Sequence, residues 1–286
     1  MVGPRPCAPR RIRRSLRSGI PTIWHDEIDS TNDEAHRLAE RGAPGGMIVA
    51  ARRQTAGKGQ HGRSWTSLPG NLLASFLLRP APTPPETPQL GFAAGLALAD
   101  ALTHHLHPTL RPRLKWPNDV LLAGGKIAGI LLERGADWVV IGIGVNLAAA
   151  PADTPYPAES LSTFVSPPAP AEFLAVLESS LQAWLARLAQ DGFAPIAAAW
   201  LALGPRPDQD LQIRLGGETI SGRFAGLGPG GELLLETASG TRKIVSGDIL
   251  PPVPSISALP GEVGGPPGPE PTRYGDWQFK GRVSDF

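Results

Sequence analysis

The sequence is poor in cysteine and lysine, and it has no long uninterrupted apolar run. Cys7 is the single cysteine among 286 residues, which excludes an internal disulfide framework and a metal site built from several cysteines. The longest apolar stretches, near 72–78 and 92–102, are broken by Arg79 and Asp100, so no membrane span is expected. A single thiol also fits a reducing compartment, and we expect a cytoplasmic protein.

The chain also lacks an excess of charge of either sign. The formal net charge is +1 and the isoelectric point is about 8.0, so no global field favours nucleic acid or an anionic membrane. Hydrophobic residues make up 41% of the chain, which is enough for a sizeable core. The composition therefore predicts a soluble globular protein that binds neither nucleic acid nor a membrane.

Lysine is scarce although the chain is rich in basic residues. Of its 27 lysines and arginines only five are lysines. Arginine and lysine are not interchangeable, so the few lysines either mark positions that need a compact ammonium group or fall where they do by chance. They are Lys58, Lys115, Lys126, Lys243 and Lys280.

The chain contains 34 glycines and 32 prolines, and their clustering suggests five segments. Residues 1–20 are basic, without an acidic side chain or a secretory apolar stretch; we expect a disordered leader, with a transit peptide or a misassigned start as alternatives. We expect the main domain at residues 21–205 and a small β-barrel at 206–250. A flexible Pro/Gly-rich linker is expected at 251–271 and an aromatic tail motif at 272–286.

Strands and helices mix in the main domain without regular alternation, which predicts an α+β fold with a mixed sheet covered by helices. Helices are expected at 31–41, with Thr31 and Glu34 spaced as a capping box, and at 89–107, 171–188 and 193–203. Strands are expected at 47–51, 71–78, 114–116, 120–122, 126–133 and 138–147. Short strands are expected at 211–215, 219–227, 232–236 and 243–245.

A glycine-punctuated loop spans residues 54–65. Gly57, Gly59 and Gly62 let backbone approach a ligand, and Lys58 and Arg63 could meet negative charge. An ordinary surface loop with incidental cations is the alternative. The loop lacks the Gly-Lys-Ser/Thr of a Walker loop.

A second segment reads Lys115-Trp116-Pro117-Asn118-Asp119 and is followed by a hairpin that returns Lys126. Two lysines converging on one cleft would place two ammonium groups near a phosphate or a carboxylate; two solvated hairpin lysines are the alternative. In a third segment, 142–147, Asn146 ends a buried strand, where it could hold a loop through side-chain hydrogen bonds.

Together these segments resemble the biotin–protein ligase family. The resemblance runs over about residues 22–250 and rests on the order and spacing of five motifs. The motifs are Ser30-Thr31-Asn32, the 54–65 loop, 115–119, Lys126–Leu131 and Gly142–Leu147.

The resemblance implies a biotin/lipoate ligase-like catalytic domain followed by an SH3-like β-barrel. It also implies a two-step reaction. Biotin and ATP form biotinyl-5′-adenylate and pyrophosphate; a lysine of a carboxylase's biotin carboxyl carrier domain then attacks the mixed anhydride and AMP leaves. Mg²⁺ normally accompanies the nucleotide. The oligomeric state is left open between a monomer and a homodimer.

Site residues carry over by motif. The resemblance implies catalytic roles for Lys126, Arg63 and Lys115, with Lys126 also reaching biotin. Biotin contacts are implied for Ser30, Thr31, Asn32 and Gln54. Adenylate contacts are implied for Gly57, Lys58, Gly59, Gln60, Arg63, Trp65, Asn118, Asp119 and Asn146. Asp119 is also the candidate for a metal contact.

The chain departs from the family in its glycine-rich loop. Lys58, Gln60 and His61 stand where relatives often carry arginine. The loop therefore has less fixed charge, which puts the tightness of adenylate retention in doubt but not the class of reaction.

The carboxy-terminal segment carries a separate resemblance. Residues 268–277, Lys280-Gly281-Arg282 and Asp285-Phe286 are similar to the carboxy-terminal signature of the succinate dehydrogenase assembly factor 4 family, which implies binding to the flavoprotein subunit of succinate dehydrogenase. A fused gene or an error in the gene model is the alternative.

Three other functions compete with the ligase. A lipoate or octanoyl transferase shares the fold, but the 115–119 segment and the small β-domain fit it less well. A biotin-responsive repressor is disfavoured because no winged helix precedes the catalytic motifs. A binding adaptor with a degenerate core is disfavoured because Lys115, Lys126 and Arg63 are retained.

Overall fold

A computed structural model gives the fold. It describes residues 21–79 and 87–250, together with the backbone of short strands at 11–14, 277–279 and 282–284. The chain divides into two units, Met1–Pro251 and Pro252–Phe286. Apart from the three short strands, the leader, linker and tail expected from the sequence lie outside the described residues.

The main sheet has eight strands in the order β1-β2-β3-β4-β8-β7-β6-β5. β2 and β3 are parallel and all other neighbours are antiparallel, so the expected mixed sheet is confirmed. The strands are β1 (Arg11–Arg14), β2 (Pro21–Ile28), β3 (Met47–Gln54), β4 (Leu72–Leu78), β5 (Arg113–Lys115), β6 (Asp119–Leu122), β7 (Gly125–Arg134) and β8 (Val139–Val145).

Helices cover this sheet, as the sequence predicted, and they lie on both of its faces. Side chains alternate between the faces of a strand, so Phe76 of β4 packs in one cluster and Leu77 in another. α1 covers the Leu77 face, and α2, backed by α3 and α4, covers the Phe76 face. The helices are α1 (Thr31–Glu40), α2 (Thr87–His105), α3 (Pro170–Asp191) and α4 (Phe193–Leu203).

Five antiparallel strands form a second sheet, in the order β12-β11-β10-β9-β13. Its apolar residues, such as Ile213, Phe224 and Leu235, are buried in the same cluster as the α2 side of the main sheet. Burial of apolar area is the main favourable term in folding, so the two sheets stabilise each other. The strands are β9 (Asp210–Leu215), β10 (Glu218–Leu227), β11 (Leu233–Thr237), β12 (Gly240–Ile244) and β13 (Asp248–Ile249).

Several sequence expectations need correction. The strand Pro21–Ile28 was not predicted, because His25-Asp26-Glu27 obscures its apolar character, although His25 is buried. The strand at Asp248–Ile249 was missed because it has two residues. The predicted capping box of Thr31 and Glu34 was wrong. Ser30 is the N-cap instead, and its Oγ accepts a hydrogen bond from the backbone N–H of Asp33 at 3.4 Å.

Other boundaries shift by a few residues. The helix expected at 89–107 begins and ends two residues earlier. Trp116, expected in the strand 114–116, lies outside β5, which ends at Lys115. Across residues 21–79 and 87–250, no helix is both long enough and apolar enough to cross a membrane.

His105, at the end of α2, is held in a partly apolar setting. Its ring stacks on Phe173 with centroids 5.6 Å apart, and its buried Nε2 has no hydrogen-bond partner within the described residues. Burial lowers the pKa of His105, and the nearby His104 lowers it further, while Glu172 opposes the shift. The fold therefore favours the neutral imidazole.

We expect the free energy of unfolding to fall as the pH drops below about 6.5, the ordinary pKa of histidine. There the unfolded chain binds a proton that the folded chain resists, so stability rises with pH across this window. His105→Phe keeps the ring contact and should flatten the dependence in urea unfolding. The exposed His107→Gln is the control. Equal pH dependence in His105→Phe and wild type would contradict the assignment.

Candidate functional site

The 54–65 loop is a closed hairpin rather than an irregular excursion. Lys58 and Ser64 form a β-bridge, and the N–H of Gly59 donates to the carbonyl of Arg63 at 2.7 Å. His61 turns the chain with φ of 55°. A Cβ on Gly57 would lie 2.6 Å from the carbonyl oxygen of Trp65, so this position needs glycine for the close crossing of the two arms.

This loop, the start of α1, strands β7 and β8, and the segment 151–158 line a cavity of about 180 Å³. The structure brings together most of the predicted site residues. Those that line the cavity are Ser30, Thr31, Asn32, Gln54, Lys58, Gly59, Gln60, Arg63, Trp65, Asn118, Lys126 and Asn146. Gly57 lines an adjoining cleft, and Lys115 and Asp119 lie beside Lys126.

A polar network forms one end of the cavity. The backbone N–H and the hydroxyl of Thr31 both donate to Oε1 of Gln54, at 2.7 and 2.9 Å. Ser75 Oγ lies 2.8 Å from the Thr31 hydroxyl and 2.5 Å from Oδ1 of Asn32. Asn32 Nδ2 donates to Glu133 at 2.6 Å. Within the described part of the chain, the Gln54 amide N–H groups have no partner and can donate to a ligand.

Sequence reasoning missed Ser75 and Glu133. Ser75 is fully buried within the apolar strand Leu72–Leu78, and a polar residue inside such a strand was the signal that could have found it. Buried polar groups cost free energy unless they are hydrogen-bonded, so Ser75 needs a partner there. Glu133 lies about one hundred residues from Asn32 and carried no local signal.

Glycines of two adjacent strands form the floor beneath Trp65. A Cβ on Gly144 would lie 2.4 Å from the indole ring, and one on Gly129 would lie 3.0 Å from it. A Cβ on Gly142 would lie 2.2 Å from Asn32. The glycines therefore let Trp65 and Asn32 lie directly on the sheet. Within the described residues, the buried Nε1–H of Trp65 has no partner, so it can donate to a ligand.

The β6–β7 hairpin brings the two lysines together, as the sequence suggested. Ala123 and Gly124 turn the chain with positive φ of 49° and 89°. Asp119 Oδ1 lies 2.6 Å from Lys126 Nζ, and its Oδ2 lies 3.9 Å from Lys115 Nζ. One carboxylate thus holds two ammonium groups at the same edge of the cavity.

The surroundings of Lys115 destabilise its positive charge. Burial lowers the pKa of Lys115, and the nearby Lys126 and Arg63 act in the same direction, while Asp119 and Asp248 oppose the shift. An anion bound here would offset the repulsion among the cations. The electrostatics of the cluster therefore suit a phosphate or a carboxylate.

Two other loop cations are already engaged. Lys58 forms an ion pair with Asp33, which raises the pKa of Lys58. Arg63 Nη2 lies 2.9 Å from Oδ1 of Asp248, a residue of the second sheet. Both side chains are thus oriented by carboxylates outside the loop.

The two asparagines support the cavity from behind. Asn118 Nδ2 donates to the carbonyl of Ile130 at 2.7 Å. Asn146 is 2% exposed, and its Nδ2 donates to the carbonyl of Glu159 at 3.1 Å. Asn146 therefore holds a loop, as the sequence predicted. Asn71, which sequence reasoning missed, binds the same region by accepting from the backbone of Ala148 at 3.0 Å.

The described residues do not form a metal site of their own. No group of three or more His, Cys, Asp or Glu side chains among them is placed to hold a metal ion. Asp119, the candidate from the sequence, contacts Lys126 through Oδ1, and its contact with Mg²⁺ stays a prediction.

Comparison with known protein families matches three segments of the chain, and two of these matches are to biotin ligase families. Residues 24–146 match the biotin/lipoate A/B protein ligase family, and residues 211–250 match the biotin protein ligase C terminal domain. Residues 250–286 match a family described as a protein of unknown function, DUF1674.

Relatives match over most of their length. The chain is 40% identical over 238 residues to the biotin–[acetyl-CoA-carboxylase] ligase of Paracoccus denitrificans, covering 78% of this chain and 97% of that one. It is 35% identical to the bifunctional ligase/repressor BirA of Bacillus subtilis, covering 81% and 74%. A structure of the Aquifex aeolicus biotin protein ligase in complex with biotin and ATP matches with a TM-score of 0.70 at 30% identity, covering 80% and 97%.

The chain therefore belongs to the biotin/lipoate A/B protein ligase family. Within it, the match of residues 211–250 and the named relatives place the chain among the biotin–protein ligases. The resemblance inferred from the sequence motifs over residues 22–250 is confirmed.

We expect Gly144→Ala to destabilise the fold by about 1–3 kcal/mol, because its Cβ would overlap the Trp65 ring. Gly95→Ala is the matched control: its Cβ would meet nothing closer than 3.6 Å, and alanine should stabilise α2 by about 0.5–1 kcal/mol. Urea unfolding measures both. A Gly144→Ala protein with wild-type stability and unchanged tryptophan fluorescence would show that the contact is not formed.

Proposed function

We propose that this biotin–protein ligase forms biotinyl-5′-adenylate in this cavity and the cleft that adjoins it, and then transfers biotin to a lysine of a carboxylase carrier domain. The observation that carries the proposal is the pairing, within one cavity, of a neutral polar network with a cluster of cations. A biotin–ATP complex has those two needs: an uncharged ring system at one end and a reacting carboxylate and phosphate at the other.

The polar network is the proposed biotin end. Ser30, Thr31, Asn32 and Gln54 offer hydroxyl and amide groups that suit a ureido ring. Thr31 and Gln54 are already locked to each other, so little rotamer freedom is lost when a ligand binds. Along the cavity wall, Trp65 offers an apolar face and an N–H that has no partner among the described residues.

The cation cluster is the proposed reaction centre. A carboxylate oxygen of biotin attacks the α-phosphorus of ATP, the bond to the β-phosphate oxygen breaks, and pyrophosphate leaves. Both reactants are anionic, so Lys126, Lys115 and Arg63 would offset their repulsion and stabilise the negative charge that develops. Asp119 would hold Lys126 and Lys115 in place until the anions arrive.

The loop and the hairpin would then retain the adenylate. Gly57 and Gly59 allow close approach of backbone, and Lys58 and Gln60 border the same space. Asn118 and Asn146 would act by positioning the hairpin and the loop that follows β8. Because the adenylate is already activated, the second step mainly requires orientation of the incoming amine. That amine attacks the biotinyl carbonyl as a neutral group and releases AMP.

Three finer expectations belong to the proposal. The second sheet would be an SH3-like barrel, supported by β13, which follows β12 in the chain but pairs with β9 on the opposite edge. The enzyme would work in the cytoplasm, where ATP and the acceptor carboxylase are available. The 272–286 tail would bind the succinate dehydrogenase flavoprotein, supported by the sequence resemblance and the separate family match of residues 250–286.

The function is tested by ATP-dependent transfer of biotin onto a purified carrier domain. We expect Lys126→Ala to slow biotin-dependent pyrophosphate release by roughly 100-fold, the scale for losing one group that stabilises charge in a transition state. Lys243→Ala, an exposed lysine on β12, should leave the rate unchanged. Thermal unfolding would verify that both variants are folded, and wild-type pyrophosphate release by Lys126→Ala would refute the assigned role.

The tail is tested by shortening the chain to end at Leu250. Biotin transfer should be retained, because no ligase motif lies beyond that residue. In the full chain, Trp277→Ala should abolish capture of the purified flavoprotein, since aromatic side chains often dominate small interfaces. A folded but inactive truncated protein would assign the tail to the ligase, and no capture by the full chain would reject the flavoprotein as a partner.

A further inference from the structure

One cross-strand pair of the second sheet, called the Arg214–Asp248 rung below, contacts two segments that line the cavity, the 54–65 loop and the segment 151–158. Arg214 on β9 and Asp248 on β13 are cross-strand partners. Asp248 accepts a hydrogen bond from Arg63 of the 54–65 loop at 2.9 Å. Arg214 donates to the hydroxyl of Tyr156. Arg63 and Tyr156 line the cavity from different segments of the chain, so one pair of side chains contacts two of its walls.

Asp248 fixes the direction of the Arg63 guanidinium. Arg63 Nη2 faces Asp248, and its Nε faces the carbonyl of Gln60 at 3.2 Å. Nη1 has no hydrogen-bond partner among the described residues, so it can bind a ligand anion. The negative charge of Asp248 also acts on Lys115, so this carboxylate offsets repulsion between two cations from different segments.

Arg214 fixes the direction of the Tyr156 ring. The ring belongs to the segment 151–158, which the structure places without helix or strand, and its centroid lies 4.8 Å from Lys115 Nζ. A cation over an aromatic face is attracted by the ring quadrupole. A hydrogen bond at the hydroxyl end therefore orients the surface on which Lys115 rests.

These contacts contribute little to global stability. The side chains of Arg63 and Asp248 are 46% and 26% exposed, and ion pairs of this kind contribute little to the free energy of unfolding. Arg242 and Glu218 form a comparable pair at 3.6 Å in the same sheet, and neither residue lines the cavity. The Arg214–Asp248 rung differs in that it contacts Arg63 and Tyr156, which line the cavity.

We infer that Arg214 and Asp248 are positioning residues of the adenylation site. They hold the 54–65 loop and the 151–158 segment so that Arg63 and Lys115 are oriented toward the nucleotide phosphates. The inference rests on the proposed function and extends it: the second sheet takes part in nucleotide binding through one rung. Neither residue touches the reacting atoms.

The kinetic test compares Asp248→Asn, Arg214→Met and Tyr156→Phe with the control Arg242→Met. Pyrophosphate release is measured while ATP and biotin are varied in turn. Each of the three test variants should raise the KM for ATP about tenfold, the scale of one charge-assisted hydrogen bond, with a much smaller change in the KM for biotin. Arg214→Met combined with Tyr156→Phe should be no worse than either alone, because both remove the same contact. Arg242→Met should match wild type.

A second readout does not depend on activity. Trypsin can cut after Lys58 and Arg63 in the 54–65 loop, and mass spectrometry identifies the fragments. Without nucleotide, Asp248→Asn should be cut there several times faster than wild type and Arg242→Met, while the thermal unfolding temperature stays unchanged.

The outcomes separate the two claims. A folded wild-type protein without biotin-dependent pyrophosphate release refutes the proposed function, and the trypsin rates then decide on the positioning role alone. If wild type is active, unchanged KM for ATP and unchanged loop cleavage in Asp248→Asn overturn the inference. A loss of kcat with both KM values unchanged and a lowered unfolding temperature also overturns it, because that result describes a purely structural role.

Discussion

The structure depends on holding several cations close together before any anion is bound. Arg63 and Lys126 line the cavity, and Lys115 shares the Asp119 carboxylate with Lys126. Like charges that lie close together repel where water is partly excluded. Asp119 offsets this within the β6–β7 hairpin, and Asp248 offsets it from the second sheet. The site is therefore organised in advance, and a ligand with a carboxylate and phosphates meets cations that are already in place.

The neutral end of the cavity obeys a different constraint. Buried hydroxyl and amide groups must be satisfied, and here they satisfy each other: Gln54 binds Thr31, Ser75 bridges Thr31 and Asn32, and Glu133 binds Asn32. This network reaches the sheet because the strand glycines leave room for it. The result is a rigid polar surface next to an apolar indole.

The second sheet is tied to the first by more than shared apolar burial. The indole N–H of Trp116 donates to the carbonyl of Gly231 at 3.1 Å, directly beside the lysine motif. Asp248 and Arg214 of the same sheet contact the cavity lining through Arg63 and Tyr156. A boundary near residue 205 separates two sheets in the sequence, but the site draws residues from both.

The sequence by itself determined the class of fold and most of the candidate site. Motif order located the 54–65 loop, the lysine hairpin and Asn146, because each is a local pattern whose glycines, charges or strand ending can be read within a few residues. The strand at Pro21–Ile28 was missed because the exposed Asp26 and Glu27 interrupt its apolar pattern, and because the burial of His25 becomes visible only in the folded chain. Ser75 and Glu133 escaped because their partners lie 43 to 101 residues away. Only the tertiary structure shows that Arg214 and Asp248 contact residues that line the cavity. Strand β13 pairs with β9 rather than with its sequence neighbour β12, and no local pattern in the sequence reveals which two strands will be adjacent.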